Sequence, residues 1–267
     1  MCCLVEYLGT AFAGFQRQPG KETVQGTIER AITAVTGETA AITAAGRTDA
    51  GAHARRQVIA FSTHSTLSSD TFRRALNAHL PESVAVTRVD DVPLAFHPRF
   101  DASKRTYEYF IWNRPVRSPF FAGRATHVPW YLDVDLMDDA ASGLVGIRDV
   151  SAFVPAAATG DRRRLIYAAS CKRDGDLVVV RLEASGFMRQ MVRAIVGTLM
   201  QVGAGRRTVD DFVAITEAGR RQLAGTTAPA DGLYLIDVEY PFRSDTISTP
   251  SLIDELPLNR HLFKETQ

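Results

Sequence analysis

Leu165-Ile166-Tyr167-Ala168-Ala169-Ser170-Cys171-Lys172-Arg173-Asp174-Gly175-Asp176-Leu177-Val178-Val179-Val180-Arg181-Leu182-Glu183-Ala184 decides the fold class. Two runs rich in apolar residues, 165–173 and 177–184, flank Asp174-Gly175-Asp176. That order spells a β-hairpin, because glycine admits the positive φ of a tight turn. Hairpins join antiparallel neighbours, so the pattern favours a mixed or antiparallel α+β sheet over a doubly wound parallel one.

Strands and helices continue to alternate on both sides of this hairpin. Residues 105–112 form a long aromatic strand, and 133–144 a helix with acidic residues in its first turn, where the dipole favours them. Residues 188–202 form a helix that is apolar on most sides and therefore buried. Thr208-Val209-Asp210-Asp211 opens a further helix with a local capping pattern, and 233–238 closes as a strand. Nearer the start, 2–7 is a strand. Val24, Ile28, Ile32 and Val35 then fall at helical spacing from about Thr23, with Gly37 as C-cap. Residues 41–45 are a short strand running into the glycine-rich loop 46–51, and 57–62 are another strand. Phe72, Ala75, Leu76 and Leu80 mark a helix that stops at Pro81, and 84–89 return as a strand. Residues 114–130 read as a connecting loop, and the tail after Pro241 as irregular.

The 267 residues are 45% hydrophobic, ample for a sizeable core. No apolar run approaches the ~20 residues that span a bilayer. The first residues lack the layout of a signal peptide, so no membrane partner is expected. The three cysteines, Cys2, Cys3 and Cys171, give no disulfide framework. No Cys/His spacing resembles a metal site, and a reducing cytoplasm is the simplest setting. Net charge is +1, which announces no polyanionic partner. Yet only four of the 31 basic residues are lysines. Arginine forks suit phosphate and stack on bases. A GC-rich genome would give the same excess, so composition leaves an RNA partner open.

The segment Ala45-Gly46-Arg47-Thr48-Asp49-Ala50-Gly51-Ala52-His53-Ala54 sets a carboxylate between two glycines directly after an apolar strand. Such a loop displays Asp49 and lets a ligand approach the backbone. Arg47, two residues away, can hold the carboxylate ionised. On local chemistry alone this remains an ordinary Asp turn.

The decapeptide closely resembles the active-site motif of the tRNA pseudouridine synthase A family. Other segments resemble the same family in the same order. They are Glu6-Tyr7-Leu8-Gly9-Thr10 with Gly14-Phe15-Gln16-Arg17-Gln18, Phe96-His97-Pro98-Arg99-Phe100 with Lys104-Arg105-Thr106-Tyr107-Glu108-Tyr109, Gly186-Phe187-Met188-Arg189-Gln190-Met191-Val192-Arg193, and Gly232-Leu233-Tyr234-Leu235. The resemblance covers about residues 4 to 240. Leu8 stands where the family usually has Asp, and Pro98 where a small residue is more usual. The resemblance implies the pseudouridine synthase fold: two related mixed or antiparallel-sheet lobes with flanking helices and an active-site cleft between them. Residues 1–100 would form the lobe carrying the nucleophile loop, 101–241 the second lobe, and 242–267 a tail. It also implies isomerisation of uridine at positions 38 to 40 in the anticodon arm of tRNA, by a homodimer with tRNA lying across both subunits.

Breaking the bond from ribose C1′ to uracil N1 and rejoining through C5 changes no oxidation state. A carboxylate suffices and no cofactor is expected. The resemblance gives Asp49 this role. It places Tyr107, which shares a strand face with Tyr109 and Ile111, in the site to stack on the uracil or act on a proton. Arg189, Arg193 and Gly197 fall on one stripe of the apolar helix at i, i+4, i+8. A charge among apolar neighbours must face a cleft or a carboxylate, so Arg193 is expected to pair with Asp49. Arg47 is expected to contact the RNA and help extrude the target nucleotide. Arg55, Arg56, Lys104 and Arg105 are candidates for the RNA backbone. His53 has no companion at ligand spacing and reads as a packing residue. Three other readings stay open: a pseudouridine synthase for another RNA, a non-catalytic RNA-binding or tRNA-folding module, and a carboxylate glycosidase.

Overall fold

The structure, a computed structural model, describes residues 1–241; the expected tail 242–267 lies outside the described residues. Ten strands and five helices follow in the order β1 (Cys2–Tyr7), α1 (Val24–Thr36), β2 (Thr43–Ala44), β3 (His53–Ala60), α2 (Ser69–His79), β4 (Val84–Asp90), β5 (Lys104–Asn113), β6 (Thr126–Val128), α3 (Val134–Ser142), β7 (Gly146–Asp149), β8 (Arg163–Asp174), β9 (Leu177–Ala184), α4 (Met191–Gly203), α5 (Val209–Ala218) and β10 (Leu233–Glu239). The class is α+β, with one large mixed sheet ordered β4-β1-β3-β10-β5-β9-β8-β7.

The hairpin forms where its turn residues require it. Asp174 pairs with Leu177, and Gly175 takes φ +56. The helices end as their caps dictate. Thr23 accepts the Gly26 N–H at the start of α1, and Gly37 takes the left-handed conformation at its end. Thr208 and Asp211 form a reciprocal capping box at the start of α5. Several expected bounds differ, two of them near the site. The strand expected over 57–62 is β3, which begins at His53. A shift of register between Val5/Tyr7 and Gln57/Ala54 marks a bulge at Arg55 and Arg56. The expected loop 114–130 contains β6, paired parallel to β5.

Strand alternation divides the sheet into two faces. Tyr107, Tyr109 and Ile111 of β5 join Val178, Val180 and Leu182 of β9 in the main core, together with Ile28, Ile32, Leu76, Met137, Ile195 and Leu199 from the helices. Phe110, Trp112, Leu177, Val179 and Ile236 form a smaller cluster on the opposite face. β10 is the central junction: it runs antiparallel to β5 and parallel to β3, with Tyr234 opposite His53 and Leu235 opposite Ala54. The sheet is therefore continuous from β4 to β7. The start of β3, the middle of β5 and the first turn of α4 converge where the Asp49 loop leaves the sheet.

Candidate active site

The loop that carries Asp49 is fixed from several sides. Its turn closes through Ala52 N–H donating to Asp49 O at 3.1 Å. Gly51, the third residue of that turn, takes φ +83, which a side chain would strain. Gln57, fully buried, donates to Gly46 O (2.9 Å) and accepts from Gly46 N–H (3.3 Å). The Tyr7 hydroxyl bonds the Thr48 hydroxyl at 2.8 Å and receives the Gln57 amide at 3.5 Å. Burial pushes the Tyr7 phenol up to about 12, so it stays protonated. Phe15 N–H donates to Thr48 O at 3.1 Å, tying in the loop before α1.

Asp49 itself faces α4. Arg193 Nη1 lies 2.6 Å from Asp49 Oδ2, and the expected contact is present. The two side chains are 16% and 27% exposed, Arg193 first, so the pair is largely shielded yet still reached by solvent. Arg193 Nε donates to Ala228 O at 2.7 Å, and Arg193 O accepts from Ala228 N–H at 3.0 Å. The guanidinium is thus held at one edge by the backbone and presents the other to the carboxylate. α4 begins at Met191, later than expected, after Gln190 in the left-handed conformation (φ +61). Arg189 consequently stands outside the helix and is exposed. Gly197 faces no cleft: a Cβ there would meet Thr226 O at 1.8 Å. The expected stripe reduces to Arg193.

Tyr107 is buried, with the Phe187 ring edge-on at 5.0 Å and its hydroxyl 3.6 Å from where a Cβ on Gly46 would sit. Burial above all, then the neighbouring Tyr7 and Asp49, drives its phenol far above the usual range. At neutral pH it is a phenol, a hydrogen-bond donor rather than a base. The structure therefore brings Asp49, Arg193 and Tyr107 to one place. Arg47 sits beside them, exposed, with no side-chain partner among the described residues.

Of the four backbone candidates, three lie on the other face of the sheet and one on the site's side. Lys104 bridges Glu183 and Glu239 at 2.8 Å each, and Arg56 lies 3.4 Å from Asp237. Lys104 and Glu108 alternate with Tyr107 along β5, so this ion-pair ladder occupies the opposite face of the sheet. Arg55 lines a cavity on that face with Phe110 and Tyr234. Arg105 lies on the site's side, where it spans the carbonyls of Ala45, Arg99, Ala102 and Ser185. His53 is fully buried: Nδ1 accepts from Gly9 N–H at 2.9 Å, which leaves Nε2 to donate to Asp231 O at 3.0 Å. It is a packing residue. Gln57, Thr48 and Phe187 were not singled out in the sequence as site residues; their partners lie up to 80 positions away, beyond any local pattern.

No group of three or more His, Cys, Asp or Glu is arranged to hold a metal among the described residues. No helix there is long and apolar enough to cross a membrane. Comparison with known proteins places this geometry. The chain is 45% identical over 239 residues to "tRNA pseudouridine synthase A" of Brevibacillus brevis, covering 89% of this chain and 98% of that one. It is 41% identical over 254 residues to the protein of that name from Geobacillus kaustophilus (94% and 97% covered). It is 40% identical over 239 residues to that of Methylacidiphilum infernorum (89% and 94% covered). The sequence profile described as tRNA pseudouridine synthase matches residues 3–101 and 140–241, which carry Asp49 and Arg193 respectively. The chain belongs to the tRNA pseudouridine synthase family, an isomerase family.

Proposed function

We propose that the protein isomerises uridine to pseudouridine in the anticodon arm of tRNA, at positions 38 to 40, with Asp49 as the nucleophile. The observation that carries this reading is the Asp49–Arg193 pair, a partly shielded carboxylate held by an arginine beside the buried Tyr107. The bond between C1′ and N1 breaks and a bond between C1′ and C5 forms. The proton on C5 is lost and N1 gains one, so atoms and charge balance without a cofactor. Asp49 either adds to C1′ or removes a ribose proton, and Arg193 stabilises the carboxylate for both. Tyr107 supports the uracil as a neutral phenol. Arg47 holds RNA beside the extruded nucleotide, whose unstacking costs a few kcal/mol.

The same resemblance supports a homodimer, with tRNA lying across both subunits. Three free, buried thiols accord with a reducing cytoplasm. The lobe division proposed at residue 100 falls in the connection between β4 and β5.

The test is Asp49→Asn with two readouts, pseudouridine formation and tRNA binding. Product should fall below detection while binding survives. Unchanged product formation would remove Asp49 from the mechanism. Mapping pseudouridine in tRNA from cells with and without the protein checks the target: loss outside positions 38 to 40 points to another site.

A further inference from the structure

The connection between β4 and β5 displays Phe100 with 74% of its surface exposed. The display is built. His97 Nδ1 accepts the N–H groups of Arg99 (3.2 Å) and Phe100 (3.4 Å), while Asp101 and His97 bond each other twice. The Tyr240 hydroxyl donates to Pro98 O at 2.7 Å. Arg105 then fastens this turn to the cleft, since one guanidinium reaches Arg99 O, Ala45 O and Ser185 O. Ala45 leads directly into the Asp49 loop. Ser185 leads to Phe187, which packs on Tyr107. Phe100 therefore stands at the rim of the site on a rigid turn. Among the described residues its ring contacts are His97, with centroids 4.3 Å apart, and the Arg99 guanidinium at 5.7 Å. A large aromatic ring held in solvent in this way gains little from folding.

The charge on the three segments that Arg105 ties together is also distinctive. Arg47, Arg99 and Arg189 are exposed and have no carboxylate partner among the described residues. On the opposite sheet face Arg56, Lys104 and Arg181 are all ion-paired. Unpaired arginines beside a displayed ring suit a chain of phosphates with unstacked bases.

We propose that Phe100 is the stacking platform for an RNA base flanking the extruded uridine. The inference rests on the reading that the Asp49 cleft acts on tRNA. When the target nucleotide leaves the stack, its neighbour loses a stacking partner, and the rim ring replaces it. Arg99, beside the ring, meets the adjoining phosphate. Stacking of this kind is sequence-tolerant, because every base has a π face.

The experiment measures binding of an anticodon stem-loop RNA to the wild type, Phe100→Ala, Phe100→Leu, Phe100→Trp and Arg99→Ala across a salt series, with solution mass recorded. Phe100→Ala and Phe100→Leu should each weaken binding about tenfold, and Phe100→Trp should restore it. The salt slope should stay constant in all Phe100 variants and fall by about one in Arg99→Ala. Wild-type binding by Phe100→Ala or by Phe100→Leu overturns the proposal. So does a binding loss that accompanies dissociation of an oligomer, because the occupant of the ring is then a second copy of the chain. If the wild type forms no pseudouridine in tRNA, the reading of the site fails. If it does and Phe100→Ala binds normally, only this inference fails.

Discussion

Asp49 owes its orientation to residues that perform no bond chemistry. Gln57 grips Gly46 by both backbone groups, Tyr7 and Thr48 complete the hydrogen-bonded wall, and Arg193 meets the carboxylate from α4. Replacing Arg193 by Gln removes a preorganised charge beside the proposed nucleophile, and kcat should fall about a hundredfold while tRNA affinity changes little. Arg193→Lys keeps the charge but loses the fork that also reaches Ala228, so it should fall between the two. Single-turnover rates at saturating tRNA decide the matter; an unchanged rate with a raised KM would make Arg193 a binding residue instead. His53 supports a second residue-scale prediction. Burial lowers its pKa from 6.5, so the unfolded chain binds its proton more readily. Its contribution to stability is complete above about pH 6.5 and is lost as the pH falls through the window below it. Calorimetry at about pH 7.5 and pH 5 should show a fall in Tm that is smaller in His53→Gln. Arg193 was legible because a lone charge on an apolar helix must be answered by something. Gln57 was not, since in sequence it is one polar residue in a strand and its meaning depends on Gly46 being opposite.

At the scale of elements, α4 and the strap of residues 225–228 packed against it form a single fitted unit. Gly197 O and the backbone of Gly225 approach so closely that a Cβ on Gly225 would lie 2.7 Å from that oxygen. Thr198 Oγ1 accepts the Gly225 N–H at 2.9 Å, and Ala228 is bonded to Arg193 through both backbone and side chain. Gly197→Ala should therefore cost about 2–3 kcal/mol by overpacking and reduce activity as well, because the displaced strap is the anchor of Arg193. Chemical denaturation and kcat measured on the same preparation test both halves of that expectation; a stable variant with lost activity would separate them. The periodicity of α4 was visible, but its start was not. Nothing local in Phe187-Met188-Arg189 forbids a helix, and the left-handed Gln190 that delays it has no signal in the sequence. The hairpin, by contrast, was readable to within two residues, since Asp174-Gly175-Asp176 carries its own turn geometry.

The whole molecule is joined at β10, and the sequence did not reveal this. Strand propensity marked residues 233–238, but which neighbours they take depends on pairings about 130 and 180 positions distant along the chain. By lying parallel to β3 and antiparallel to β5, β10 connects the strands that precede and follow the β4–β5 connection. It also seats Leu235, fully buried, in the main core. Neither half of the sheet can lose β10 without exposing a central edge. Unfolding in denaturant should consequently be a single cooperative transition, with the same midpoint by circular dichroism and by tryptophan fluorescence, whose probes Trp112 and Trp130 both lie beyond the β4–β5 connection. Leu235→Asp places an unpaired charge at the junction and should abolish that transition outright, because no element on either side retains a complete sheet. A variant that kept one half folded, seen as a residual transition with roughly half the original amplitude, would show that the lobes are independent and that β10 merely lies between them. Because this junction closes only after most of the chain has been placed, refolding should be slow for a protein of this size, and measured folding on the microsecond scale would contradict the contact pattern.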